Sequence, residues 1–176
     1  VPGFIDIHIH GCAGFDTCDG TREAIEGMAE FLITKGVTTF CPTTMTVSED
    51  SIEKSMRAVK DCIDNPCSGA AVAGINMEGP FISANRKGAQ NEEHVKKPDY
   101  NFFKKMMDVS GNNIKIVDIA PEEDGDYTFT RKAKNEAVIS LAHSVSGYDK
   151  ASESFHYGIS HATHMFNAMS GFHHRD

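Results

Sequence analysis

Apolar periodicity divides this chain into two alternating kinds of segment. Strand-like patterning, rich in Ile, Val and Phe, covers residues 4–10, 37–43, 70–78, 114–120, 137–143 and 161–166. Helical patterning covers 21–35, 51–63, 100–109, 126–134 and 147–157, and a long polar loop runs from Glu78 to about Pro98. Strands alternating with helices this regularly predict βαβ units and a parallel sheet. Doubly wound sheets and (β/α)8 barrels share that pattern, so the residues at the strand ends must separate them.

The first strand reads Phe4-Ile5-Asp6-Ile7-His8-Ile9-His10. Side chains alternate between the faces of a strand. Ile5, Ile7 and Ile9 share one face, suited to packing under helices, while Asp6, His8 and His10 share the other. A strand covered on both faces should be apolar throughout, so three polar residues on one face need a partner. Two imidazoles at i and i+2 near a strand's C-terminal end can converge on one metal ion; the competing reading is a pair of hydrogen-bonded core histidines. Asn76 and Glu78 share a face at the end of the third strand, where Glu78 could bridge two ions or form an ordinary salt bridge. His143 and His164 fall near the ends of the fifth and sixth strands. Nitrogen and oxygen ligands of this kind suit Zn, Fe or Mn. His161, at the start of its predicted strand, and His156, at a helix end, read as structural. Near the end, Arg175 follows His173-His174 and could clamp a phosphate bidentately or simply be solvated.

Composition narrows the function. The net charge is -8 with no basic stripe, which argues against nucleic acid as a partner. No apolar run approaches the ~20 residues that span a bilayer, and no secretory leader pattern opens the chain. Five cysteines, without a CxxC pair, read as reduced thiols of a cytoplasmic protein, Cys62 and Cys67 included. At 176 residues the chain is shorter than the ~250 typical of a complete barrel. It opens on Val1 and runs straight into a strand, as if entered partway. Residues 1–176 are therefore expected to form one incomplete TIM-barrel catalytic domain of about six βα units.

Several segments together resemble the N-acetylglucosamine-6-phosphate deacetylases of the amidohydrolase superfamily. They are Pro2-Gly3-Phe4-Ile5-Asp6-Ile7-His8-Ile9-His10-Gly11, Met77-Glu78-Gly79-Pro80-Phe81, Lys87-Gly88-Ala89 with Asn91, Ala120-Pro121-Glu122, His143-Ser144, Ala162 to Met169, and His173-His174-Arg175. The resemblance runs over essentially the whole chain. It implies that Glu78, His143 and His164 ligate a common divalent metal, and that His8 and His10 can hold a second. Zinc or iron is expected, with manganese, cobalt and nickel as alternatives. It also implies that Gln90 lies near the substrate and that the backbone of Asn167 and Ala168, with the side chain of Arg175, holds the sugar phosphate. The implied reaction is metal-assisted hydrolysis of the acetamide of N-acetylglucosamine 6-phosphate to glucosamine 6-phosphate and acetate. The family's acid/base Asp, its last two strands and its β-sandwich would lie beyond Asp176, so the segment alone is expected to be nearly inactive. Bare edge strands would call for either association of copies or further sequence that closes the barrel, and a homodimer is expected. Two other readings stay open. One is a dihydroorotase-like or N-acyl-amino-acid deacylase enzyme; many of these bridge their metals with a strand-4 lysine, but the one lysine of that strand here, Lys115, lies at its start, far from the rim, and Glu78 is the better bridge. The other is a non-catalytic fragment that binds metal or sugar phosphate.

Overall fold

The computed structural model describes residues 2–171. In chain order the elements are β1 (Phe4–Ile9), β2 (Gly11–Cys12), β3 (Phe15–Asp16), α1 (Arg22–Ile33), β4 (Val37–Pro42), α2 (Glu49–Asp64), β5 (Ala71–Val72) and β6 (Ile75–Glu78). There follow α3 (Tyr100–Val109), β7 (Ile114–Ile119), α4 (Thr128–Ala133), β8 (Val138–Leu141), α5 (Tyr148–Tyr157) and β9 (Ile159–Ala162). The chain divides into two compact units. One comprises residues up to Met77 with Asn101–Lys115; the other comprises Glu78–Tyr100 with residues from Ile116 onward. Among the described residues, no helix is long and apolar enough to cross a membrane.

In the first unit β1, β4 and β5 lie side by side, all parallel, and Thr43 bridges Asn76 in the same sense. Helix α1 begins where the Thr21 side chain accepts a hydrogen bond from Ala24 N, satisfying one of the N–H groups that a helix start leaves without a partner. Ile25, Met28, Ala29 and Leu32 recur along one stripe and are buried, as 3.6-residue periodicity requires. Ile52, Met56 and Val59 do the same on α2. Truncating one of these large side chains to Ala would cost roughly 2–5 kcal/mol.

Two expectations are corrected here. The Ile face of β1 is not packed under helices: Ile5 is 66% exposed and Ile7 39%. β1 is the outer strand of its sheet, and its register with β4 shifts twice, so simple alternation does not set burial. The strand expected over 70–78 is two strands, broken at Gly74, whose φ is 155°. A Cβ at Gly74 would lie 2.9 Å from Asn113 O, so a side chain is excluded and the ladder is interrupted.

In the second unit β7, β8 and β9 run parallel, with Ile116 opposite Val138 and Ile139 opposite Ile159. Phe81 and Phe129 meet edge to face at 5.0 Å between ring centroids in a core with Val117, Ile119, Ala133 and Ile139. The last strand starts two residues earlier than periodicity predicts, at Ile159, and ends at Ala162. His161 therefore lies inside the strand, and His164 lies beyond it. The same holds for His143, two residues after β8. Residues that leave a strand are released from its ladder geometry and can turn toward a common point.

Candidate metal centre

Glu78, the last residue of β6, is 1% exposed. A buried carboxylate is costly unless it is paired or hydrogen-bonded. Its Oε1 lies 3.1 Å from His143 Nε2 and 3.0 Å from His164 Nε2, and those two nitrogens lie 3.1 Å apart. Its Oε2 accepts a hydrogen bond from Gln90 Nε2 at 2.7 Å.

The far sides of the two rings fix their tautomers. His143 Nδ1 is 2.7 Å from Arg86 O, and His164 Nδ1 is 3.1 Å from Asn167 O. A carbonyl oxygen can only accept, so both Nδ1 atoms carry protons and donate. In a neutral imidazole the other nitrogen is then a lone pair. Two imidazole lone pairs and a carboxylate oxygen thus converge within about a ligand–ligand distance of one another. Three acceptors so close repel unless a cation lies between them. A proton on one ring satisfies part of the set. A divalent ion would satisfy all of it, and nitrogen and oxygen donors of this kind suit such an ion. His164 takes up a proton more readily than an ordinary histidine, chiefly through its hydrogen bond to Glu78.

Backbone conformation at these positions is unusual. His143 has φ 46°, His164 φ 30° and Ala168 φ 51°, in the left-handed region that residues with a Cβ seldom occupy. Gly88, at φ 57°, passes beside the His143 ring; a Cβ there would be 3.6 Å from Cε1. The Lys87-Gly88-Ala89 turn is thereby close-fitted to the histidine.

Deeper in the same unit lies a network that the sequence reading missed. Asp118, on β7, is fully buried. Its Oδ1 accepts from Thr163 Oγ1 at 2.8 Å; Thr163 Oγ1 lies 2.7 Å from Ser140 Oγ, which lies 2.9 Å from His161 Nδ1. Among the described residues, Asp118 Oδ2 has no hydrogen-bond partner. Burial pushes the Asp118 carboxyl up to about 7 against the pull of the Thr163 hydroxyl. An Asp among the apolar residues Ile116, Val117 and Ile119 was the available signal. His161 is accounted for as a structural member of this network.

In the first unit His8 and His10 meet edge to face at 5.1 Å. Asn76 Nδ2 donates to Ile7 O at 3.0 Å and lies 3.2 Å from His8 Nδ1, so His8 Nδ1 accepts and its neutral ring carries the proton on Nε2. His10 Nδ1 donates to Thr43 O at 3.1 Å, which leaves Nε2 as its lone-pair nitrogen. Thr43 also accepts from Ile9 N through Oγ1 at 2.9 Å, closing the end of β1. Thr43 was not singled out by the sequence reading. Lys115 is exposed on β7.

The expected substrate residues separate. Gln90 is buried against Glu78. Asn167 is exposed, with its carbonyl engaged by His164 and its N–H donating to His164 O at 2.7 Å. Ala168 follows in the left-handed conformation. Arg175 and the preceding His173-His174 lie outside the described residues.

Residues 1–176 match the amidohydrolase family from end to end, and the chain belongs to it. Amidohydrolases are generally metal-dependent, and in this chain Glu78, His143 and His164 bring a carboxylate oxygen and two imidazole nitrogens within 3.0–3.1 Å of one another. The particular proteins that this chain is similar to are N-acetylglucosamine-6-phosphate deacetylases. It is 40% identical to that of Bacillus subtilis over all of this chain and 46% of the relative. It is 35% identical to the human protein over 99% of this chain and 44% of the relative. Among solved structures, the deacetylase of Mycobacterium smegmatis in complex with N-acetyl-D-glucosamine-6-phosphate superposes with a TM-score of 0.91 at 26% identity, covering 99% of this chain and 45% of that one. The Thermotoga maritima deacetylase superposes with a TM-score of 0.81 at 31% identity over 99% of this chain and 46% of that one. The fold is accordingly the α/β, TIM-barrel type of these enzymes, and the chain spans a little under half the length of the curated relatives it matches.

Proposed function

We propose that this chain carries the metal centre and part of the substrate site of an N-acetylglucosamine-6-phosphate deacetylase. The observation that carries the proposal is the convergence of His143 Nε2, His164 Nε2 and Glu78 Oε1, all pairs 3.0–3.1 Å apart, with both histidine Nδ1 protons committed to carbonyls. Glu78, His143 and His164 would hold one divalent ion, zinc or iron first among the candidates. When bound, such an ion supplies Lewis acidity at the amide carbonyl and makes hydroxide available near neutral pH.

The chain's own residues then have distinct tasks. Glu78 supplies the negative charge that offsets the cation. Arg86 O and Asn167 O hold the two rings in the tautomer that presents Nε2. Gln90, bonded to Glu78 Oε2, orients the carboxylate and places a side-chain amide beside the reacting region. The backbone of Asn167 and Ala168 and the side chain of Arg175 are the proposed phosphate contacts. His8 and His10 are proposed as ligands of a second ion. The Nε2–H tautomer set by Asn76 makes His8 the weaker ligand of the two in metal-free protein, so the second ion would be held less tightly than the first. The acid/base is assigned to an Asp outside this segment. Five free cysteines suit a cytoplasmic setting, and a homodimer is the proposed assembly.

A lysine-bridged amidohydrolase is disfavoured, because Lys115 is exposed and Glu78 is buried among the histidines. A close alternative is the epimeric substrate: an N-acetylgalactosamine-6-phosphate deacetylase of Escherichia coli O157:H7 is 29% identical. The test is acetate release from each of the two sugar phosphates by the complete gene product, before and after dialysis against a chelator and after return of Zn(II). Metal-dependent release from the glucosamine compound is expected. Release that survives full removal of metal, or none from either sugar, would refute the proposal.

A further inference from the structure

The Ala120-Pro121-Glu122 segment has no task in the proposed function, yet its carboxylate is heavily engaged. Glu122 Oε2 accepts from Ser144 Oγ at 2.6 Å and from Ser146 Oγ at 2.7 Å, and Oε1 accepts from Val145 N at 2.6 Å. Ser146 N donates to Ser144 Oγ at 2.9 Å, closing the loop on itself. Three consecutive residues are tied to one carboxylate, and they are the three that follow His143. Hydrogen bonds to an ionised acceptor are roughly twice as strong as neutral ones.

The position of this clamp is informative. At His143 φ is 46°, which residues with a Cβ adopt only where the surroundings over-determine it. The residues from His143 to Gly147 belong to no helix or strand, so no backbone ladder holds them. His143 is itself secured twice, by Ser83 N donating to its carbonyl at 3.0 Å and by its ring bond to Arg86 O. Glu122 secures the three residues that follow it.

We infer that Glu122 is a positioning residue for His143: by clamping Ser144, Val145 and Ser146 it keeps the His143 backbone left-handed and Nε2 aimed at Glu78 Oε1. In this role it acts through His143. The inference rests on the reading of Glu78, His143 and His164 as metal ligands. Groups that orient a ligand from outside typically contribute ~10–100-fold in metal affinity.

Cobalt(II) binding, followed by its visible absorption bands, tests this on the metal-free protein. Wild type, Glu122→Gln, Glu122→Ala and Ser146→Ala are compared, with thermal unfolding of each metal-free form measured alongside. The expected result is a ~10–100-fold weaker Co(II) affinity for Glu122→Ala with altered band positions. Glu122→Gln should fall between it and wild type, because its carbonyl still accepts from Val145 N. Ser146→Ala removes a single donor and should weaken binding least; it decides the matter if Glu122→Ala does not fold. A merely structural Glu122 would lower the unfolding temperature while folded variants kept wild-type affinity and spectrum, and that result would overturn the inference. Failure of wild type to bind Co(II) would instead refute the metal reading on which it depends.

Discussion

His143 Nε2 and His164 Nε2 face each other across 3.1 Å, each with its opposite nitrogen donating to a backbone carbonyl. Two ring nitrogens this close, each with its other nitrogen committed to a carbonyl, need a proton or a metal ion between them. The experiments below follow from that relationship and from the carboxylates near it.

Glu78 completes the group, so Glu78→Gln should weaken metal binding by more than the ~10–100-fold that an outer partner contributes. The Gln amide would direct either an N–H or a neutral oxygen at the two imidazoles, and neither offsets a divalent charge. Elemental analysis of purified wild type and variant gives the answer. Equal metal stoichiometry in both would remove Glu78 from the centre.

Gln90→Ala deletes the donor that Glu78 Oε2 accepts at 2.7 Å. Leaving a buried carboxylate oxygen short of a partner costs about 1–3 kcal/mol. Metal-free protein should melt lower by a corresponding amount, and Zn(II) affinity should fall by roughly tenfold. Calorimetric unfolding and competitive chelator titration measure the two separately. Unchanged values in both would show that the contact contributes nothing.

Proton and metal compete for His164. Its folded-state pKa is raised above the ordinary 6.5, mainly by Glu78. In metal-free protein the charged pair therefore stabilises fully below 6.5, and that stabilisation is lost as pH rises through the raised value. Metal binding needs the neutral ring, so affinity should improve over the same interval. Opposite trends in melting temperature of the metal-free form and in Zn(II) affinity, both flattened in His164→Gln, are the expected signature. Parallel trends would contradict it.

Asp118 gives a separate pH dependence. Its carboxyl is raised from 3.8 to about 7 by burial, so folded protein binds a proton that unfolded protein has released. Stability of the metal-free form should fall as pH climbs from about 4 to about 7, by a few kcal/mol at most. Asp118→Asn keeps an acceptor for Thr163 and cannot ionise, so its stability curve should be flatter there. Urea unfolding at several pH values tests this; identical slopes for both proteins would sink it.

Much of the centre was legible because polar residues at the ends of apolar strands are conspicuous. Glu78, His143 and His164 each stood out in that way. What holds them did not. Arg86 O and Asn167 O are backbone atoms, available in any sequence, and only the folded loop brings them to a ring. The Gln90 contact with Glu78 likewise spans a loop whose path no periodicity fixes. Strand limits failed where geometry overrode pattern: Gly74 broke one strand, and β9 began at Ile159. The β2–β3 hairpin was missed because its two turn residues are Ala13 and Gly14, both at positive φ, where Asn-Gly or Asp-Gly would have announced such a turn. The Ile face of β1 read as buried because alternation reports which residues share a face and not what covers it.

The left-handed backbone at His143, His164 and Ala168 has a consequence for how this protein can change. Strained φ values of this kind cost on the order of 1–3 kcal/mol each, so the centre draws on stability that the rest of the fold must supply. Ala168→Gly would relieve one of these positions, giving a sturdier but looser chain. At His143 and His164 the same relief would delete a ring nitrogen from the group, so Ala168 is the one of the three that can be relaxed without dismantling it.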